Sequence, residues 1–246
     1  MANQHVYIHE FIDIIGHNRA RYMQHMTANW CPVAREERNQ LCFGVWATVG
    51  ATGRWPEVVN LWEISDWDGL AADFEHELVG SGAQDRSLVE WWAAAASLRR
   101  GGIDRIVVPE PWSPSIDEHN AAGTRGAVYA HEVVTTPLGE VQRYLDALHD
   151  TGIGAHAEQG LVPVGAFHTA MRARDEAIVI WAIPDWSTWA AFERTWDDDR
   201  HRWPWRGTVQ GLEARTERTL LVDAPLSPLR TGRQPQVEDR RPLDEF

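Results

Sequence analysis

The chain has 246 residues, 43% of them hydrophobic and 24% charged, and its 23 cations against 36 anions leave a formal charge of −13. All 23 cations are arginine, which excludes a Schiff-base lysine and a phosphate-loop lysine, and so acidic a chain is a poor partner for a nucleic-acid backbone. Cys31 and Cys42 form neither a zinc nor a disulfide framework, while 14 tryptophans outnumber tyrosine and phenylalanine together.

In chain order, His5–Phe11 alternates and reads as a strand. A helix is expected from about 15 to 30. Leu41–Val49 and Glu57–Ile64 are β-rich, with Gly50, Gly53 and Pro56 supplying the turn between them. Asp66 caps a helix whose apolar stripe is Trp67, Leu70, Ala71, Phe74 and Leu78. An extra helix carries Leu88, Trp91, Trp92, Ala95 and Leu98. Gly101-Gly102 stops it, and Asp104–Val108 is the next strand.

The same order then returns. Val128–Val134 is a strand, and Pro137 starts a helix with Leu138, Val141, Leu145 and Leu148 on one stripe. Val162–Met171 and Ala177–Ile183 form a hairpin turning at Arg174-Asp175. Asp185 caps a helix with Trp186, Trp189 and Ala190, and Ala214–Val222 closes the unit. The tail from 226 to 246 is rich in proline and arginine and reads as extended, disordered or draped on a partner.

The two series match residue by residue. Tyr7-Ile8-His9-Glu10 returns as Tyr129-Ala130-His131-Glu132, and Arg21-Tyr22 as Arg143-Tyr144. Leu61-Trp62-Glu63-Ile64-Ser65-Asp66-Trp67 returns as Ile180-Trp181-Ala182-Ile183-Pro184-Asp185-Trp186. Each half is β-α-β-β-α-β, the ferredoxin-like order. The fold class is therefore α+β, with two ferredoxin-like repeats whose antiparallel sheets pack into one intrachain α/β barrel. The divisions are a first repeat over 1–114, a linker over 115–125, a second repeat over 126–225 and the tail.

The segment Val59-Asn60-Leu61-Trp62-Glu63-Ile64-Ser65-Asp66-Trp67-Asp68-Gly69-Leu70, a strand entering a capped helix, resembles the third-strand signature of the dimeric α/β-barrel superfamily, in its NIPSNAP-like and EthD-like branches. Ile178–Trp189 resembles it again. The resemblance covers about 5 to 225 and implies the barrel. It also implies a range of activities: cofactor-free monooxygenases, polyketide cyclases, muconolactone isomerase-like enzymes, haem-binding members and stress-response proteins. No catalytic residue is common to these, so none is carried over.

Strand parity sorts the candidate site residues. Val6 and Ile8 share one face of the first strand; Tyr7, His9 and Phe11 share the other. Small aliphatics suit the helix-covered side, so Tyr7, His9, Tyr129 and His131 are expected to point into the barrel. Glu10 and Glu132 then fall on the helix side, solvated or paired with arginine. Histidine titrates near neutrality and tyrosine can steady an oxyanion, which makes His9, His131, Tyr7 and Tyr129 the expected catalytic set. Trp46, Trp62, Phe167 and Trp181 are expected as cavity walls, and His168 and Glu63 as polar groups of an asymmetric pocket. The plainer alternative for each is a half-buried strand residue inherited with the duplication.

These features lead to the expectation of an enzyme acting on a small apolar or aromatic molecule by His/Tyr acid–base chemistry. Isomerase, cyclase, dehydratase and cofactor-free oxygenase types all fit. No cofactor is expected; the alternative is a transition metal on His9, His131, His168 and Glu63, or a haem on one of those histidines. A non-catalytic binding or scaffold protein is the third reading. Neither nucleic acid nor membrane is expected as a partner, and either a monomer or a homodimer through outer surfaces fits. Met1–His5 lacks the features of a signal peptide, so the expected location is cytoplasmic. Gly80-Ser81-Gly82 follows a helix, which rules against a dinucleotide site. The segment from Arg200 to Arg206 reads as a turn over the barrel mouth, where Arg202 or Arg206 would hold an acidic substrate.

Overall fold

The computed structural model describes residues 2–78, 84–198, 203–212 and 215–246. Gly80-Ser81-Gly82, Arg202 and Ala214 lie outside the described residues. The first half runs β1 (Val6–Ile14), α1 (Arg19–Gln24), a π-helical turn (His25–Trp30), α2 (Cys31–Arg38), β2 (Leu41–Thr48), β3 (Glu57–Ile64), α3 (Trp67–Glu77), α4 (Arg86–Ala95) and β4 (Arg99–Pro109). After α5 (Ile116–Ala122) the second half runs β5 (Val128–Thr135), α6 (Val141–Ala147), a second π-helical turn (Leu148–Gly152), α7 (Ile153–Ala157), β6 (Val162–Thr169), β7 (Glu176–Ile183), α8 (Trp186–Asp198), α9 (Pro204–Thr208) and β8 (Arg215–Asp223). The short helix α10 (Pro228–Thr231) follows. No described helix is long and apolar enough to cross a membrane.

The strands close into an antiparallel barrel in the order β1-β3-β2-β8-β5-β7-β6-β4. Each half contributes a sheet in ferredoxin-like order, as its β-α-β-β-α-β sequence dictates. The sheets join at two seams, β2–β8 and β4–β6, each with three register pairs. A bulge interrupts β2 between Cys42 and Gly44, and its repeat interrupts β6 between Pro163 and Gly165. At Gly165 a Cβ would lie 2.5 Å from the Phe167 ring, so that ring needs the glycine.

The middle of the barrel is packed with side chains. Tyr7, Phe43, Trp46, Leu61, Phe167 and Ile180 belong to one buried cluster there. An eight-stranded barrel is just wide enough for side chains to fill. The predicted linker contains α5, whose capping box at Ser115 and Glu118 fixes its start. Ile116 of α5 and Leu229 of α10 are buried in the same interior cluster.

Outside the barrel, each half has its own core beneath its helices. Several expectations for the helices need correction. The first helical region continues to Arg38, because Pro32 sits at a helix start, where its missing N–H costs nothing. Helix α6 starts at Val141, and Leu138 is exposed. On α3 the buried face is Leu70 and Asp73, leaving Trp67, Phe74 and Leu78 exposed. The tail is ordered on the chain's own first half. Gln234 bonds the backbone N and O of Cys42 at 3.0 and 2.8 Å, Arg240 donates to Ala28 O at 3.2 Å, and Leu243 packs on the first half's core.

Candidate functional site

Tyr7 and His9 on β1, and Tyr129 and His131 on β5, all point into the barrel, where alternation places them. The two histidines meet: one Nε2–H donates to the other Nε2 at 2.9 Å, and the rings stack at 5.0 Å and 28°. They are 0% and 1% exposed. Burial, then the charge each would place on the other, then Arg105 holds the His9 imidazole well below its usual range. Burial and Arg105 lower His131 to about 4. The pair is therefore neutral near pH 7 and shut off from solvent.

The tyrosines are equally engaged. Tyr7 donates to Glu63 at 2.7 Å, and Glu63 also accepts from Ile116 N at 2.9 Å. Tyr129 donates to Asp223 at 2.8 Å. Burial raises both hydroxyls and both carboxyls, Asp223 to about 6. Trp46 and Phe167 are core side chains of this filled interior. Packed aromatics fill the middle of the barrel, and a cavity of about 560 Å³ remains at one end, lined by the inward-facing Phe11, Arg105, Val133 and Thr219.

The other expected site residues lie elsewhere. Trp62 and Trp181 sit on the helix-covered face, because inward-facing Leu61 and Ile180 precede them. Trp62 and Glu63 are neighbours on one strand and face opposite ways. His168 lines an outer groove with Glu110, Trp112 and His149. The expected ligand set of His9, His131, His168 and Glu63 does not converge. Among the described residues the one grouping with metal-ligand spacing is Glu37, His76 and Asp85. Asp85 there already caps α4 and pairs with Arg38.

A reachable cavity of about 590 Å³ lies instead between the first half's sheet and its helices. Its floor is the outer face of β1, β3 and β4, carrying Glu10, Trp62 and Asp104. Trp30, Trp91 and Trp92 add aromatic walls. Trp91 is fixed by a parallel stack on His25 at 4.9 Å and 4°, and His25 Nε2 lies 3.0 Å from Trp91 O. The buried Arg38 ties the wall together, pairing with Asp73 at 3.3 Å, Glu77 at 3.6 Å and Asp85. It also stands 5.1 Å from the Trp30 ring.

Glu10 is the focus of this pocket. Trp62 Nε1 donates to its Oε2 at 2.7 Å, and Asn60 Nδ2 donates to the same oxygen at 2.9 Å. Across the strand pair its partner is Asp104. Burial, then the Asp104 charge, raises the Glu10 carboxyl above its usual range, against the hydrogen bonds and Arg99. Burial raises Asp104 too. Arg99 stands 3.7 Å over the Trp92 ring, and its buried Nε has no partner among the described residues.

The second half holds the same parts in a closed state. Trp181 Nε1 donates to Glu132 Oε2 at 3.1 Å, repeating the Trp62–Glu10 bond. Here the cross-strand partner is Arg218, where the first half has Asp104. Arg218 Nε reaches Glu132 Oε1 at 2.8 Å, so both carboxylate oxygens are taken. Burial alone would raise Glu132, but Arg218, His156 and the hydrogen bonds outweigh it and hold the carboxyl below its usual range. Aromatics occupy the remaining space. His156 stacks on Trp181 at 4.0 Å, Trp203 lies 4.8 Å from His156, and Arg218 is 4.4 Å from the Trp196 ring. The Arg/Trp segment expected over the barrel mouth is this plug: Trp203 and Trp205 are buried, and Arg206 stacks 3.9 Å from Trp196.

Asp104 and Arg99 were not singled out from sequence. Strand parity placed Glu10 and Glu132 on the helix side, solvated or paired with arginine; Glu132 is paired with Arg218, while Glu10 faces the pocket without an arginine on it. Trp91 and Trp92 entered the sequence reading as members of the extra helix's apolar stripe.

No family model and no curated protein matches the chain. Solved structures do. An anthrone oxidase-like protein is 11% identical with a TM-score of 0.60, covering 91% of this chain and 93% of its own. A candidate monooxygenase from Lactobacillus acidophilus is 10% identical with a TM-score of 0.56, covering 89% and 93%. A NIPSNAP family protein of unknown function from Agrobacterium tumefaciens aligns with 43% of this chain at 21% identity and a TM-score of 0.37. The full-length matches show a shared α/β-barrel fold.

Proposed function

We propose that this chain is a small-molecule enzyme whose site is the first-half pocket, where Glu10 performs acid–base chemistry on a planar aromatic or conjugated substrate. The observation that carries this reading is the contrast between Glu10 and Glu132. One duplicated carboxyl has an Arg218 on it and aromatics over it. The other has a raised pKa, opens on a cavity and accepts both its donors on a single oxygen. A carboxyl tuned upward by burial and a like charge is suited to exchanging protons near neutrality.

The chemistry that fits is proton transfer beside a carbonyl. Glu10 as carboxylate takes a proton from carbon, the negative charge collects on the substrate oxygen, and Arg99 holds that oxygen through its unpartnered Nε. Returning the proton elsewhere on the molecule completes an isomerisation. The same enolate is the species that a cofactor-free oxygenation or a cyclisation starts from. The barrel fold shared with proteins described as a candidate monooxygenase and as anthrone oxidase-like supports this class. The lining, among the described residues, includes no histidine to ligate a haem iron.

Anthrone, a planar ketone with an acidic methylene, is a suitable probe. The wild-type protein is expected to quench its tryptophan fluorescence on binding and to speed deuterium exchange at that methylene. Glu10→Gln should retain binding and lose about 10²- to 10⁴-fold in the catalysed exchange. Exchange that continues unchanged in Glu10→Gln would overturn the assignment.

A further inference from the structure

Two of the large apolar side chains left exposed stand at one opening. Phe74 is 38% exposed and Met171 90%, and both line the first-half pocket. Single exposed apolar residues carry no message, but a pair brought to one pocket mouth from the two halves does. Each has a local cause. Phe74 is left at the rim because α3 turns Asp73 inward to meet Arg38. Met171 belongs to the other half, at the β6–β7 turn, with a backbone φ of 57°. A non-glycine residue rarely adopts that conformation, so the turn accepts strain while presenting a flexible apolar side chain.

The rim also differs in polarity from the floor. Glu10 and Arg99 lie within, beside the indoles. Arg172, next to Met171, is already engaged with Asp175 at 3.4 Å and Glu176 at 3.3 Å. It offers little to an anionic tail. The matching turn of the first half, residues 49–56, folds back instead, with Gly53 against Thr219.

We infer that the substrate is an amphiphile: a polar-substituted planar ring that enters first, extended by an uncharged hydrocarbon portion that lies across Phe74 and Met171. This rests on the pocket being the binding site, and the test separates the two claims. The dissociation constants of α-naphthol and of its para-butyl and para-octyl derivatives are read from tryptophan fluorescence in wild type and in a Phe74→Glu/Met171→Glu variant. In wild type the butyl chain should tighten binding about tenfold, less than half in free energy of what full burial of its carbons would give. In the variant the ratio of alkylated to parent affinity should fall toward unity. An equal ratio in both proteins overturns the rim assignment and leaves the pocket reading standing. Failure of α-naphthol itself to bind the wild type removes the pocket reading, and the amphiphile with it. Both substituted positions are exposed, and circular dichroism on the variant checks that it is folded.

Discussion

Replacing Asp104 by arginine writes the second half's arrangement into the first. Glu10 and Asp104 are direct cross-strand partners, so their carboxyls lie on the order of 6 Å apart. Asp104 reaches solvent at the open side of the pocket while its carboxyl is partly sheltered there, which calls for an effective dielectric of about 40, between the surface-pair and bulk-water values. One unit charge at that distance is then worth about 1.4 kcal/mol, or roughly one pKa unit. Asp104→Asn should lower the Glu10 pKa by about one unit, and Asp104→Arg by about two. Titration by NMR with isotope-labelled glutamate measures it, with Glu10→Gln identifying the resonance. Stability gives a second readout. The folded pKa of Glu10 is raised above 4.5, so the wild type loses stability as pH rises from there through the folded value. Asp104→Arg shrinks that loss and should be more stable than wild type at neutral pH. A Glu10 pKa that stays put or rises in Asp104→Arg would refute the electrostatic account of this site.

Arg218→Met leaves Glu132 buried without its partner and should cost about 3–5 kcal/mol in denaturant unfolding, most of it recovered by adding Glu132→Leu. The neutral His9–His131 pair sets an acid limit. Its folded pKa values are depressed from 6.5, to about 4 for His131, so its stabilisation is present above 6.5 and lost as pH falls through that window. Urea midpoints of wild type should drop between pH 7 and pH 5, and those of a His9→Leu/His131→Leu variant should drop less.

Much of the architecture was legible because it rests on period and repetition. Alternation in Val6–Phe11, repeated at Val128–Val133, was enough to aim His9 and His131 at each other. What could not be read was the space around them. How much of a barrel is hollow depends on volumes summed over eight strands, and Phe43, Trp46 and Phe167 fill the middle of this one. Trp62 and Glu63 were both expected to wall one cavity, although adjacent strand residues face apart. The pocket itself turns on which residue stands opposite Glu10 and which opposite Glu132. That is a matter of register between β1 and β4, and between β5 and β8, and no spacing along the chain encodes it. On α3, the stripe of apolar residues pointed to the wrong buried face because a single ion pair, Arg38 with Asp73, outweighed it.

The two seams, three register pairs each, set a boundary on how this barrel could have arisen and diverged. Two separate copies would meet across such narrow edges only as their concentration allowed. Joined in one chain, each half meets the other at an effective concentration on the order of millimolar, whatever the dilution. Covalent linkage also ends an enforced symmetry. In a homodimer any substitution alters both pockets together, so an arginine that closes one closes its twin. Within a single polypeptide, aspartate can stand at one register position and arginine at its equivalent. One half can then be closed by its own aromatics while the other keeps a polar cleft.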